Sequence, residues 1–221
     1  GEFLSFKKII DRGWPDYNFP LPVEKDNVSF FNYKKFVDWK TKTDNTIMEK
    51  FVVGVDNQIV QLNEKQKANN FTVRNITSSG TIWTGTKNQV IDLVSANPKN
   101  TAGKINENSM STGLLFKYGK FKYFTAGDLC KSFLQKNGEE INIEVEAGKI
   151  VGELDVCKSS HHGYTDALMQ DFINSVNARV YISPVWDSKH LHPDPMGRII
   201  GNPKRGNETL IIPTHVSDQQ R

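Results

Sequence analysis

A layered α/β domain is predicted for this chain, on two grounds. Short apolar runs rich in β-branched and aromatic residues recur along it, and segments with helical spacing fall between some of them. The 221 residues are 37% hydrophobic and 24% charged, which places the chain among globular proteins rather than disordered ones and suits one domain over 1–221.

In order, Phe6 to Gly13 reads as a short strand ending in a turn. Prolines at 15, 20 and 22 then predict an irregular loop. Phe30 to Thr43 places Phe31, Phe36-Val37 and Trp39 at helical spacing, with Asn27 or Ser29 as the cap. Strands are predicted at 51–54, 58–62 and 71–76. The polar stretch 77–107 reads as loop with one short apolar segment at 90–94. A hairpin follows, 111–118 with 120–126, turning at Gly119-Lys120. Leu129 to Lys136 reads as a helix, Glu153 to Ser159 as a strand and Thr165 to Val176 as a helix. The last two strands fall at 179–183 and 209–213.

A net charge of +3 carries no argument for nucleic acid, and the lysines are scattered. Cys130 and Cys157 form no C-x-x-C pair, which argues against a cysteine-rich zinc site and predicts two buried free thiols. No apolar run approaches the roughly 18 residues of a membrane span, so a soluble, cytoplasmic protein is expected. Gly1-Glu2-Phe3 reads as a processing remnant, with the natural start expected upstream.

The residues suited to chemistry sit at strand ends. Asp128 follows Gly127 where the hairpin stops, a rigid place for a metal ligand or general base, although Gly-Asp is also a common turn. His161-His162-Gly163 ends another strand, and neutral imidazole is a good zinc ligand; exposed or capping histidines are the alternative. Asp128 with these histidines would make a zinc, manganese or iron site of at most three donors. His190 and His192 flank Leu191, but Pro193 and Pro195 predict a loop there. Asn108 and Ser109 are candidates to bind substrate or orient a ligand, or to form Asx turns. No G-x-S-x-G, P-loop or dinucleotide fingerprint occurs.

The order Asn108-Ser109, FTAGD (124–128), ELDVCKSSHHG (153–163), then Ser183 and His192-Pro193 resembles the second half of metallo-β-lactamase-fold hydrolases. It is nearest the hydrolase domain attached to competence (DNA-uptake) channels. The resemblance covers residues 106–195; before that, Ile10-Asp11-Arg12-Gly13 is the best anchor. It implies an αββα sandwich, of which this chain holds the C-terminal portion. It further implies two zinc ions, or manganese or iron, bridged by Asp128. One of His161 and His162 would be a terminal metal ligand and the other would face the substrate; Asp128 and His162 are the expected catalytic pair, with His192 near the mouth. The implied activity is hydrolysis of phosphodiester or related ester bonds, in a small molecule or nucleic acid, through a metal-bound hydroxide. The family's His-x-His-x-Asp-His segment is not in this chain, and no histidine precedes Asp128. The alternative is therefore an inactive binding or scaffold domain of the same fold, with no metal.

Overall fold

The computed structural model describes residues 4–20, 22–63, 70–94, 106–131, 133–134, 140–205 and 208–215. A small parallel pair comes first, β1 (Lys8–Asp11) beside β2 (Ile47–Lys50), connected through helix α1 (Val28–Thr43). The Asn27 side chain accepts from Phe30 N and caps α1, as its position predicts. The Asp11 carboxylate accepts from both the Tyr17 and Tyr33 hydroxyls, which pins the following loop to α1.

An eight-stranded mixed sheet forms the body. Its antiparallel half contains β3 (Phe71–Ser78), β4 (Thr81–Trp83), β5 (Val90–Asp92), β6 (Gly113–Tyr118) and β7 (Phe121–Thr125), ordered β5-β4-β3-β6-β7. The parallel half continues from β7 through β10 (Val156–Lys158) and β11 (Val180–Ser183) to β12 (Leu210–Pro213). Two short strands, β8 (Phe133–Leu134) and β9 (Glu140–Ile141), pair separately. Parallel neighbours need crossover connections, and three helices supply them: α2 (Ile143–Val151), α3 (Gln170–Val176) and α4 (Pro193–Ile200).

One apolar core joins the sheet to these helices. It includes Ile76 of β3, Leu115 of β6, Phe124 of β7, Cys157 of β10 and Tyr181 of β11, with Ala147, Phe172 and Ile199 from α2, α3 and α4. Leu115 and Phe124 lie opposite each other across the β6–β7 register, on the core side. The alternate pair, Phe116 and Tyr123, lies on the other side of the pleat with tilted rings 5.6 Å apart, and Phe71 adjoins Phe116 at 6.4 Å. This second aromatic row is half-buried. Both cysteines are buried and in no disulfide, as expected.

Several elements differ from the sequence reading. Segments 51–54 and 58–62 are irregular. The Gln58 side chain accepts from Val52 N and donates to Lys50 O, replacing a strand partner, and Gly54 takes φ +88. The polar stretch after residue 77 holds β4 and β5, because cross-strand pairing of Ile82 with Ile91 outweighs its loop-like composition. No helix starts at Leu129: Leu129 N bonds back to Ala126 O and Lys131 N donates to Asp166 O, while residues 132 and 135–139 lie outside those described. The helix predicted from Thr165 begins only at Gln170, since Leu168 takes φ 53. Pro193 and Pro195, expected to make a loop of 190–195, instead open α4: they fall in its first turn, where a missing N–H costs nothing.

Helix α2 meets α3 at Gly148, where an added Cβ would lie 2.7 Å from Phe172 Cδ2. Phe172 is fully buried and has no room to yield. Gly148→Ala should therefore destabilise the fold by about 1–3 kcal/mol through overpacking, despite the ~0.5–1 kcal/mol that alanine gains in a helix. Urea unfolding checks this, and Phe172→Leu in the same chain should recover part of the loss.

Candidate functional site

The parallel register of β7 and β10 pairs Val156 with Tyr123 and Cys157 with Phe124. Extending both chains past their strands brings Asp128 level with His161, so the two predicted motifs meet at one sheet edge. The Gly127 carbonyl joins them. It accepts from the Lys158 ammonium at 2.5 Å and from His161 N at 3.3 Å. Asp128 N in turn donates to Ser111 Oγ at 3.1 Å.

His161 and His162 both take left-handed backbone angles, φ 42 and 57, inside a short 3₁₀ turn over Ser160–Gly163. Two such residues in succession are costly for L-amino acids. Leu191 N to His162 O at 2.9 Å and His192 N to Gly163 O at 2.8 Å hold the turn in place. Gly163 lies against the Leu191 backbone, where a Cβ would approach Leu191 Cα to 3.2 Å.

The turn sends the two rings to different neighbours. His162 Nδ1 lies 2.8 Å from Pro184 O, and its ring stacks on His190 at 4.5 Å. A carbonyl only accepts, so Nδ1 carries the proton. Nε2 is then the ring nitrogen that faces Asp128 Oδ1, 3.4 Å away. A carboxylate oxygen and an imidazole nitrogen face each other favourably at that distance when a proton or a cation lies between them. His161 Nδ1 instead contacts Asp166 Oδ1 at 2.8 Å, and its Nε2 contacts Asn108 Nδ2 at 3.2 Å. Both its nitrogens therefore have complementary partners.

The remaining predicted residues are distributed around this pair. Asn108 and Ser109 lie in a 3₁₀ turn, Glu107–Met110; Asn108 touches His161, whereas the buried Ser109 lies 3.6 Å from Cys130 Sγ. His192 caps α4 by accepting from Asp194 N, and its ring is edge-on to Tyr164. His190 is buried, and burial followed by the neighbouring His162 lowers its pKa.

Three residues were not singled out from the sequence. Lys158 is held near Asp128; burial lowers its pKa and the Asp128 charge opposes that shift. Cys130 and Asp166 join His161 to offer a sulfur, a carboxylate oxygen and an imidazole nitrogen within 4.8 Å of one another, a donor set that could hold a metal ion. The spacing His161-to-Asp166 was a readable signal, as five residues of turn bring the pair together; Cys130 has no local signal.

A cleft of about 430 Å³ opens near the same edge, where β3 ends and β4 begins. Arg12, Phe19, Lys50, Phe51 and Ser79 are among its lining residues. Arg12 pairs with Glu107, the neighbour of Asn108, so one turn borders both cleft and histidines. No protein-family model and no curated protein matches the chain.

Glu144 lies beneath the histidine turn. It is fully buried, its Oε2 accepts from Met169 N at 3.4 Å, and the buried Ser160 hydroxyl lies beside its carboxyl group. Burial pushes its pKa up to about 7 from the ordinary 4.5, against the pull of the Leu168 and Met169 amides. The folded protein keeps this proton across a pH window in which the unfolded chain has lost it. Its contribution to stability is thus full below the unfolded pKa and is lost as pH rises through the folded value. The melting temperature should fall between about pH 5 and about pH 8, and Glu144→Gln should flatten that part of the profile.

Proposed function

We propose that this chain is a metal-dependent hydrolase of the metallo-β-lactamase type, acting on phosphodiester or related ester bonds. The observation that carries the reading is the facing of His162 Nε2 and Asp128 Oδ1 across 3.4 Å, with the other ring nitrogen tied to a carbonyl. Metal-ligating histidines have this arrangement: the second ring N–H is anchored and the free nitrogen is aimed.

The donors present, one carboxylate and one imidazole, fit part of such a centre. A divalent ion there, zinc by donor type, supplies Lewis-acid polarisation and activates water. Asp128 and His162 would hold it, and the His190 stack fixes the plane of the His162 ring. Lys158 brings positive charge beside Asp128. Lys50 in the neighbouring cleft suits an anionic substrate, Arg12 there being already paired with Glu107, and Phe19 and Phe51 give the cleft apolar walls. The half-buried row of Phe71, Phe116 and Tyr123 suits a sheet that receives a second sheet, which supports the αββα architecture.

A second reading, a binding or scaffold domain without catalysis, is favoured by one observation. Among the described residues, the His/Cys/Asp/Glu group of three or more that converges closely enough for a metal does not include Asp128 and His162.

Hydrolysis of bis(p-nitrophenyl) phosphate, with and without added zinc or manganese, separates the two. The hydrolase reading expects metal-stimulated turnover that falls at least ~10-fold in Asp128→Ala and in His162→Ala. Turnover that ignores metal, or is unchanged in both folded variants, would favour the scaffold.

A further inference from the structure

The Cys130–His161–Asp166 cluster plays no part in the function proposed above. It joins two stretches of chain: Cys130 follows β7, while His161 and Asp166 belong to the connection between β10 and α3. Lys131 N already donates to Asp166 O at 2.7 Å, so the stretches abut before any ion is considered. From these donors we propose that Cys130, His161 and Asp166 form a second metal site, separate from Asp128 and His162, selective for zinc and acting as a clamp on the histidine turn.

The donor types select the ion. One thiolate, one imidazole and one carboxylate are a zinc set, and magnesium and calcium discriminate against sulfur. Three protein donors leave a fourth tetrahedral position for water. The surroundings suit each donor. Asn106 Nδ2 donates to Cys130 Sγ at 3.5 Å and Ser109 Oγ lies 3.6 Å from it, so the sulfur already receives polar contacts. His161 Nδ1 faces Asp166, and its Nε2 faces the Asn108 amide at 3.2 Å. With Nδ1 on an ion, Nε2 becomes the N–H, and rotation of the Asn108 amide presents its oxygen as acceptor. The imidazole thus keeps an outer partner in either state.

Binding is a ligand exchange with a balanced proton count. The Cys130 S–H and the His161 Nδ1–H are replaced by bonds to zinc; His161 takes a proton on Nε2, and one net proton leaves to solvent. Without an ion the thiol is protonated: burial pushes its pKa up to about 12, with the Ser109 hydroxyl opposing and the Asp166 charge adding to the shift. A divalent cation reverses this local field. The contact between His161 and Asp166 must open slightly from 2.8 Å to admit the ion, and the three donors must draw together from within 4.8 Å. The cost of these movements sets the affinity.

Cobalt(II) titration of the whole chain tests the site, because a thiolate bound to cobalt absorbs in the near ultraviolet through charge transfer. One equivalent should produce the band, and zinc should abolish it. Cys130→Ser should remove the band, and Asp166→Asn should weaken cobalt binding at least ~10-fold while leaving the buried sulfur in place. The Asp128→Ala, His162→Ala double variant should retain both band and affinity. No band in the folded wild-type chain, a band that survives Cys130→Ser, or unchanged affinity in Asp166→Asn would overturn the proposal. Loss of the band in the double variant would also overturn it, since the donors would then belong to one shared centre. The readout is spectroscopic, so absence of phosphodiesterase activity leaves it intact.

Discussion

The Gly127 carbonyl organises the sheet edge. One oxygen takes the Lys158 ammonium and the His161 backbone N–H, and so fastens the end of β7 to the turn beyond β10. Charge-assisted bonds of this kind are stronger than neutral ones. Because β7 and β10 are parallel, the fastening sets Asp128 and the histidines at one height. The core beneath supplies the rigidity: Phe124, Cys157 and Tyr181 sit on adjacent strands and are all buried. The edge above can therefore carry two successive left-handed residues without relaxing.

Adjacent histidines on an ordinary strand would point to opposite faces. Here the 3₁₀ turn spreads them within one edge, with ring centres 6.4 Å apart. His162 is tied to Pro184 after β11 and stacked on His190, whereas His161 is tied to Asp166 and Asn108. The pair thus has two chemical environments, one with Nε2 facing the Asp128 carboxylate and one with its nitrogens between Asp166 and Asn108.

What could be read from the sequence follows from the range of the interactions. The β6–β7 hairpin is visible because its alternation and its Gly-Lys turn are local. Helix α1 is visible from its spacing and its Asn27 cap. Strands β4 and β5 are hidden in a polar stretch, because short strands are stabilised by partners rather than by their own composition. Helix α4 was obscured by prolines that read as breakers until their place in the first turn is known. At the site, Asp128 and the two histidines stand out as strand-end residues. Cys130 does not, since nothing local says that a buried thiol faces an imidazole 31 positions later. Nor does the Pro184 carbonyl, since every residue offers one.

The turn holding Glu107 and Asn108 has a mechanical consequence. Glu107 grips Arg12 at the cleft, and Asn108 meets His161 at the histidine turn. Both residues belong to one 3₁₀ turn, Glu107–Met110. The cleft wall and the histidine turn therefore share one backbone support, so Arg12 and His161 are held by adjacent residues although they lie far apart in sequence.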